Sequence, residues 1–363
     1  CLLATAMCFL IGATGPGVTT TGEAIIGGVS DDPYLFRTFV RAVAPAEAAY
    51  AHLGTELRYV TEHPQLAASA EGLPPPFEVE PGQPSRGVNA AGLAFTCALA
   101  IERDPPEGAA NQPQSFAYLS HRLMDDCATV DEGIELLLAA GSVSPAFSVL
   151  LADVAGGLAQ VEVGLFGCAV HRRYSKESPG IVVAVNCHQF PDLVLVNKPE
   201  AQLGYGSNNN GCRLKRGWEL AEMRRGHLDV PALAAILGDH ESRDRDCETN
   251  PLIKWWGHSI CNHGSRASSD YSISEPPWGT VSAEILQPSR RTLHYCYGWP
   301  CGERAQHGDE LFQSGSWGRF LAFALPPRGP APAPAAASDV VECTTVDGGI
   351  TEAGKAFVRR AGC

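Results

Sequence analysis

A chain of 363 residues is long enough to bury one large core or two smaller ones. Apolar residues make up 45% and charged residues 18%, an ordinary balance for a soluble, enzyme-sized fold. The net charge of −13 comes with no basic run, which argues against a nucleic-acid surface, and no apolar stretch approaches the length of a bilayer-spanning helix.

The first 42 residues read as strands and turns, ending in "LFRTFVRAV". "APAEAAYAHLGTELRYV" is Ala-rich with helical spacing, and "EGLPPPFEVEPGQPS" is a Pro-broken loop. "RGVNAAGLAFTCALAIER" returns to strand. Two helices follow in "FAYLSHRLMDDCATVDEGIELLLAAG", where Thr129 and Glu132 have the spacing of a capping box. "FSVLLADVAGGLAQVEVGLFGCAVHRRY" reads as a hairpin around a Gly-Gly turn, and "GIVVAVNCHQF" as a buried strand stopping in polar residues. "RLKRGWELAEM" and "VPALAAILGDH" are helical, "GTVSAEILQPSRRTLHYCYGWP" is a hairpin turned by "QPSRR", and "GRFLAFALP" is a last strand. "PPRGPAPAPAAAS" is a linker by composition, ahead of a short appendage. Helices grouped between hairpins, rather than alternating strictly with strands, point to α+β.

Thirteen cysteines are scattered rather than set at framework spacings, in a chain too long to need staples, so most are expected to be buried, reduced, cytoplasmic thiols. Residue 1 is itself a Cys, where a ribosome would have placed Met. If a cut exposes it, Cys1 carries a thiol and a free α-amine together. That amine has an unperturbed pKa of about 8, so it can take the thiol's proton and serve as general base. Such a centre needs a group to hold the amine, a cation to favour the thiolate and donors for an oxyanion. For the first, "GEAIIGGVSDDPY" offers Asp31 and Asp32, which also suit an exposed turn. For the oxyanion, Asn186 stands at the end of an apolar strand, a position equally suited to a strand terminator. For the cation, Arg213 and Arg216 lie at a helix start, where basic residues oppose the helix dipole; a solvated helix face is the plain alternative. A zinc reading of His258, Cys261 and His263, extended by Cys187 and His188, matches no standard ligand spacing. Trp255, Trp256, Trp278, Tyr295 and Tyr297 suit an acyl pocket or plain core packing equally.

The order of these segments resembles the acyl-coenzyme A:isopenicillin N acyltransferase family of self-cleaving N-terminal-nucleophile hydrolases, and more distantly the bile-salt and penicillin V hydrolases. Cys1 stands as nucleophile. Gly28, Ser30 and Asp32 match a Gly-x-Asn-x-Asp pattern, and Asn89, Gly92 and Leu93 match Asn-x-x-Gly-Leu. Asn186 matches the oxyanion Asn, while Arg213 and Arg216 match a Ser-Arg-x-x-Arg segment. Leu2, Ser30 and Cys212 depart from the family's usual residues. The resemblance implies a four-layer αββα sandwich of two antiparallel sheets between helices, spanning residues 1–325 with a variable segment at 33–85. A linker at 326–339 and a tail at 340–363 would follow.

It further implies a precursor cut at Cys1 and an acyl-thioester formed on that residue. Asp32 (or Asp31) holds the amine, Asn186 stabilises the oxyanion and Arg213 supports the thiolate or the processing. The expected partners are a small acyl donor, an amide or a thioester such as an acyl-coenzyme A, and an amine or water as acceptor. The released pro-segment is a further partner if it is retained. No cofactor, metal, nucleic acid or membrane is called for. The rivals are a lipoprotein or binding protein with acylated Cys1, and a metal-dependent hydrolase.

Overall fold

The computed structural model describes residues 8–33, 36–44, 50–59, 83–104, 112–199, 209–240, 259–262, 278–303, 314–325 and 339–359. In chain order the strands are β1 (Phe9–Thr14), β2 (Ile25–Pro33), β3 (Phe36–Ala44), β4 (His52–Tyr59), β5 (Pro84–Asn89), β6 (Leu93–Leu99) and the short β7 (Gln114–Ser115). Helices α1 (Phe116–Asp126) and α2 (Val130–Ala139) come next, then β8 (Val143–Ser144), β9 (Phe147–Asp153), β10 (Leu158–Gly164), β11 (Gly167–Tyr174) and β12 (Gly180–Val185). Helices α3 (Asn209–Met223) and α4 (Val230–Leu237) precede β13 (Trp278–Gln287), β14 (Thr292–Tyr297), β15 (Phe320–Ala324) and β16 (Asp339–Glu342).

Two antiparallel sheets carry the molecule. One has six strands in the order β12-β1-β2-β13-β14-β15, the other eight in the order β11-β10-β9-β6-β5-β4-β3-β16. Alternation along each strand sends side chains to two different cores. On β1, Leu10 joins Ile26, Leu150, Val182 and Leu286 between the sheets. Its neighbours Phe9 and Ile11 face outward, with Leu220 and Ala221 on α3 and Leu233 on α4. A third cluster packs Leu119 and Leu123 of α1 and Ile134 of α2 on Phe95, Leu151 and Val161 of the larger sheet. The layers therefore run helix, sheet, sheet, helix. Because most strands are covered on both faces, they read as nearly continuous apolar runs.

Local signals are met where turn chemistry is explicit. Thr129 and Glu132 form the capping box of α2, and Pro288–Arg290 turns β13 into β14. Two expectations are corrected. The Ala-rich stretch expected to be helical holds β4, which pairs with β3 on one side and β5 on the other; sheet pairing overrides a helix-favouring composition. The stretch expected to be an appendage supplies β16, which pairs with β3, and Cys343 just beyond it is fully buried. Thus β3 and β4, from the segment expected to vary, are integral strands. Residues 326–338 of the expected linker lie outside the described residues. Among the described residues no helix is long and apolar enough to cross a membrane.

Candidate functional site

Strand β1 lies between β12 and β2, and its first paired residue, Phe9, stands opposite Val185 and Val29. One step back along the same register puts Cys8 beside Asn186 and Ser30. Strand β2 runs past this point, so Asp31 and Asp32 flank the head of β1 and pair with Thr280 and Gly279 of β13. A single sheet end thus gathers a thiol, two carboxylates and an amide. All are buried, with Cys8 at 7% exposure and Asp31 at 0%.

Alternation separates the two carboxylates. Cys8 belongs to the core between the sheets, and Ser30 and Asp32 share that parity on β2, whereas Asp31 takes the outward parity of Val29. Between the sheets Arg86 of β5 reaches across. It donates to Thr96 Oγ1 at 2.7 Å, Glu284 Oε2 at 2.8 Å and the Val29 carbonyl at 2.8 Å, and also to Ser30 Oγ. Burial alone would depress Arg86, but Glu284, Cys8, Cys97 and Asp32 hold its pKa above the ordinary value. Burial lifts Asp32 to about 7 against the pull of Arg86, with Glu284 pushing the same way as burial. Asp32 Oδ1 is buried with no hydrogen-bond partner among the described residues. Burial also pushes the Cys8 thiol up to about 11; Arg86 draws it down, Asp32 and Asp31 push it up, and a hydrogen bond to the Asp31 backbone draws it down. Cys8 within a continuous chain is therefore a protonated thiol at neutral pH, and reaction there needs a base.

On the outer side of the sheet Asp31 is fully engaged. Its Oδ2 accepts from Arg213 Nη1 at 3.1 Å and its Oδ1 from Thr280 Oγ1 at 2.6 Å. Burial dominates both partners of the ion pair, raising Asp31 to about 7 and lowering Arg213. Arg213 also donates through Nη2 to Asn186 Oδ1 at 3.0 Å and Asn210 Oδ1 at 3.3 Å. Because the guanidinium has donors only, it fixes which end of the Asn186 amide is oxygen. The amide nitrogen donates to the Leu99 carbonyl at 2.8 Å.

The loop that carries Asn186 is anchored by a buried cluster no sequence pattern announced. His188 is 0% exposed; its Nε2 lies 2.8 Å from Glu102 Oε1 and its Nδ1 3.4 Å from Glu162 Oε2. Burial would lower its pKa, yet hydrogen bonds and charge from both carboxylates raise it to about 9. Glu162 also accepts from the backbone N–H groups of Gln189 at 2.7 Å and Phe190 at 2.9 Å. Asn197 brackets the His188 backbone on both sides, at 2.9 Å each way.

Of the residues expected from the sequence, Asp32, Asn186 and Arg213 converge on this sheet end. Cys1, expected as nucleophile, lies outside the described residues. Arg216 makes a two-point ion pair with Asp239, at 3.0 and 2.7 Å, and so ties α3 to the end of α4. Its neighbour Cys212 is disulfide-bonded, an exception to the reduced thiols expected. Asn89 accepts from the Gly92 and Leu93 backbones at 3.0 Å and donates to the Met124 and Cys127 carbonyls, shaping the β5–β6 turn and docking α1. Gly92 there has φ +97°, which explains the glycine. Tyr295 donates to the Thr38 carbonyl from within the core, and Tyr297 packs in the same cluster, so packing accounts for both. His258, His263, Trp255 and Trp256 lie outside the described residues. Arg86 and Glu284 were missed, since nothing in "PSRGVN" reveals a partner 198 positions away, and His188 was weighed only as an extra zinc ligand beside Cys187.

No protein-family model matches the chain, and no curated protein does either. Among solved structures, a conjugated bile acid hydrolase from Clostridium perfringens superposes with a TM-score of 0.51 at 11% identity, over 94% of this chain and 99% of that one. A penicillin V acylase from Agrobacterium tumefaciens gives 0.47 at 15% identity, over 87% and 91%, a likeness too loose to argue from. The chain has the fold of the first, the αββα sandwich that its resemblance to N-terminal-nucleophile hydrolases implied.

Proposed function

We propose that this chain is an amide hydrolase whose nucleophile is a cysteine freed at its own amine, and that the residue is Cys8. The observation that carries this reading is Cys8 at the head of β1, on the same side of the sheet as Asp32, whose Oδ1 has no partner among the described residues. Breaking the Met7–Cys8 peptide bond would create an α-ammonium next to that carboxylate oxygen. The Cys8 thiol can open the bond by attacking the Met7 carbonyl, which frees the amine and leaves a thioester that water hydrolyses to release the upstream segment. The part expected of Cys1 thus passes to Cys8, where the supporting groups are gathered.

The chemistry follows from the groups present. The neutral amine takes the Cys8 proton, and the thiolate adds to the amide carbonyl carbon. The developing oxyanion accepts from the Asn186 amide, which Arg213 holds in register. Breakdown of the tetrahedral species expels the amine leaving group, which takes the proton from the α-ammonium, and leaves an acyl-thioester. Water then attacks with the α-amine as base, releasing the carboxylic acid and the thiol. Asp32 orients the amine and favours its charged form, while Asp31 keeps Arg213 in place. An amine acceptor in place of water would make the same enzyme an acyltransferase. Nine free thiols among the described residues, seven of them buried, support a reducing, cytoplasmic setting, and the disulfide at Cys212 counts against it.

Intact mass and N-terminal sequencing of the expressed protein test this directly, alongside turnover of a panel of N-acyl amides and acyl-thioesters with and without amine acceptors. Expected is a mature chain beginning at Cys8, inactive as Cys8→Ala and active as Cys1→Ala. Activity that survives Cys8→Ala, or an active protein with Cys8 still peptide-bonded, refutes the assignment.

A further inference from the structure

Away from the Cys8 side chain, three segments meet at the end of α4. Gly238 caps the helix, and a Cβ there would lie 3.2 Å from the Cys301 backbone, so the turn after β14 presses directly on the helix end. The Cys261 N–H donates to the Asp239 carbonyl at 2.9 Å, which brings in residues 259–262. The side chains that converge are His240, Cys301 and Glu303, whose nitrogen, sulfur and carboxylate oxygen atoms all lie within 4.8 Å of one another. The buried Cys261 thiol contacts Cys301 from below.

We infer that His240, Cys301 and Glu303 form a binding site for a zinc-type divalent cation. A thiolate, an imidazole and a carboxylate are a borderline donor set of the kind that selects zinc over magnesium or calcium. His240 Nδ1 lies 3.3 Å from the Gly238 carbonyl and donates its proton there. Its other ring nitrogen, Nε2, faces Glu303 Oε1 at 3.1 Å, so the two ligand atoms already converge. A carbonyl behind the far ring nitrogen is also the usual way a ligating histidine is oriented. Glu303 is fixed independently: its N–H donates to Cys301 Sγ at 3.4 Å, and its carbonyl accepts from Trp317 Nε1 at 2.8 Å. On binding, the Cys301 thiol gives up its proton to solvent and coordinates as the thiolate.

Three protein ligands leave a fourth position to water, and the site stands apart from the Cys8 side chain. Its consequence is a link to the sheet end described above. Asn262, next to Cys261, exchanges hydrogen bonds with Thr280, its N–H reaching Oγ1 and its carbonyl accepting from N, both at 2.8 Å. Thr280 in turn donates to Asp31. A cation at this site fixes the Asp239–His240 turn and Cys301, the two supports on which Cys261 rests, and so steadies the Asp31–Arg213 pair.

The test uses the full chain, stripped with a chelator under reducing conditions and titrated with zinc against a chromophoric competitor. Expected is one equivalent per chain and a higher melting temperature with metal. His240→Ala and Glu303→Gln, both exposed positions that leave folding intact, should each weaken binding at least about 10-fold, because a lost ligand costs no less than a lost partner behind a ligand. Cobalt should give a thiolate charge-transfer band that disappears in Cys301→Ala. No stoichiometric uptake by the wild type overturns the inference. So does unchanged affinity in His240→Ala and Cys301→Ala together, or a Cys261–Cys301 disulfide in protein isolated without reductant that persists in place of metal.

Discussion

The His188 cluster makes a quantitative demand on stability. In the folded chain His188 holds its proton with a pKa raised from 6.5 to about 9, because Glu102 and Glu162 outweigh the cost of burial. A tenfold tighter hold is worth about 1.4 kcal/mol, so the full contribution is about 3 kcal/mol. The folded state binds the proton more tightly, so this stability is complete below pH 6.5 and drains away as pH climbs through 9. Between pH 7 and pH 10 the wild type should lose about 2–3 kcal/mol from this residue alone. Urea unfolding at pH 7, 8, 9 and 10, wild type beside His188→Gln, isolates the effect, since groups common to both cancel. The variant should be less stable at pH 7 and close the gap by pH 10. A gap that stays constant, or widens with pH, would show that His188 is not held as an imidazolium.

Other consequences are more local. Arg86→Leu leaves Glu284 buried without its cation and should cost about 3–5 kcal/mol, most of it recovered in Arg86→Leu/Glu284→Leu, as read by denaturant midpoints. Asn186→Ala should lower kcat about 10²–10³-fold on any amide substrate found, with circular dichroism unchanged. Gly28→Ala puts a Cβ 2.8 Å from the Phe9 carbonyl oxygen and 2.8 Å from Leu10 Cδ2, so it should destabilise by about 1–3 kcal/mol in thermal melts.

What the sequence revealed depended on how local the physics was. The β13–β14 hairpin is written in a turn between two apolar runs, and the α2 capping box in two residues three apart. Asp32, Asn186 and Arg213 were legible as polar residues ending apolar strands or opening a helix, but a turn, a strand terminator and a solvated face explain those positions equally well, and only the order of the segments singled them out. Arg86 was not, because its partners Ser30 and Glu284 lie on the opposite sheet and meet it only after the layers stack. Cys8 was passed over as one buried thiol among thirteen, although the Met7–Cys8 pair was there to be read. β16 is only four residues long, too short for a period to register, and its place depends on an open sheet edge that no local pattern describes.

That last strand also sets a timing problem for biosynthesis. The Val40 N–H that Thr344 accepts waits for a residue 304 positions further along the chain. Until translation reaches it, β3 offers an unpaired rim to any passing extended peptide. Nascent chains stalled or nicked ahead of residue 339 should therefore be the species that clump, and holding the rim shut early should improve the yield of folded protein.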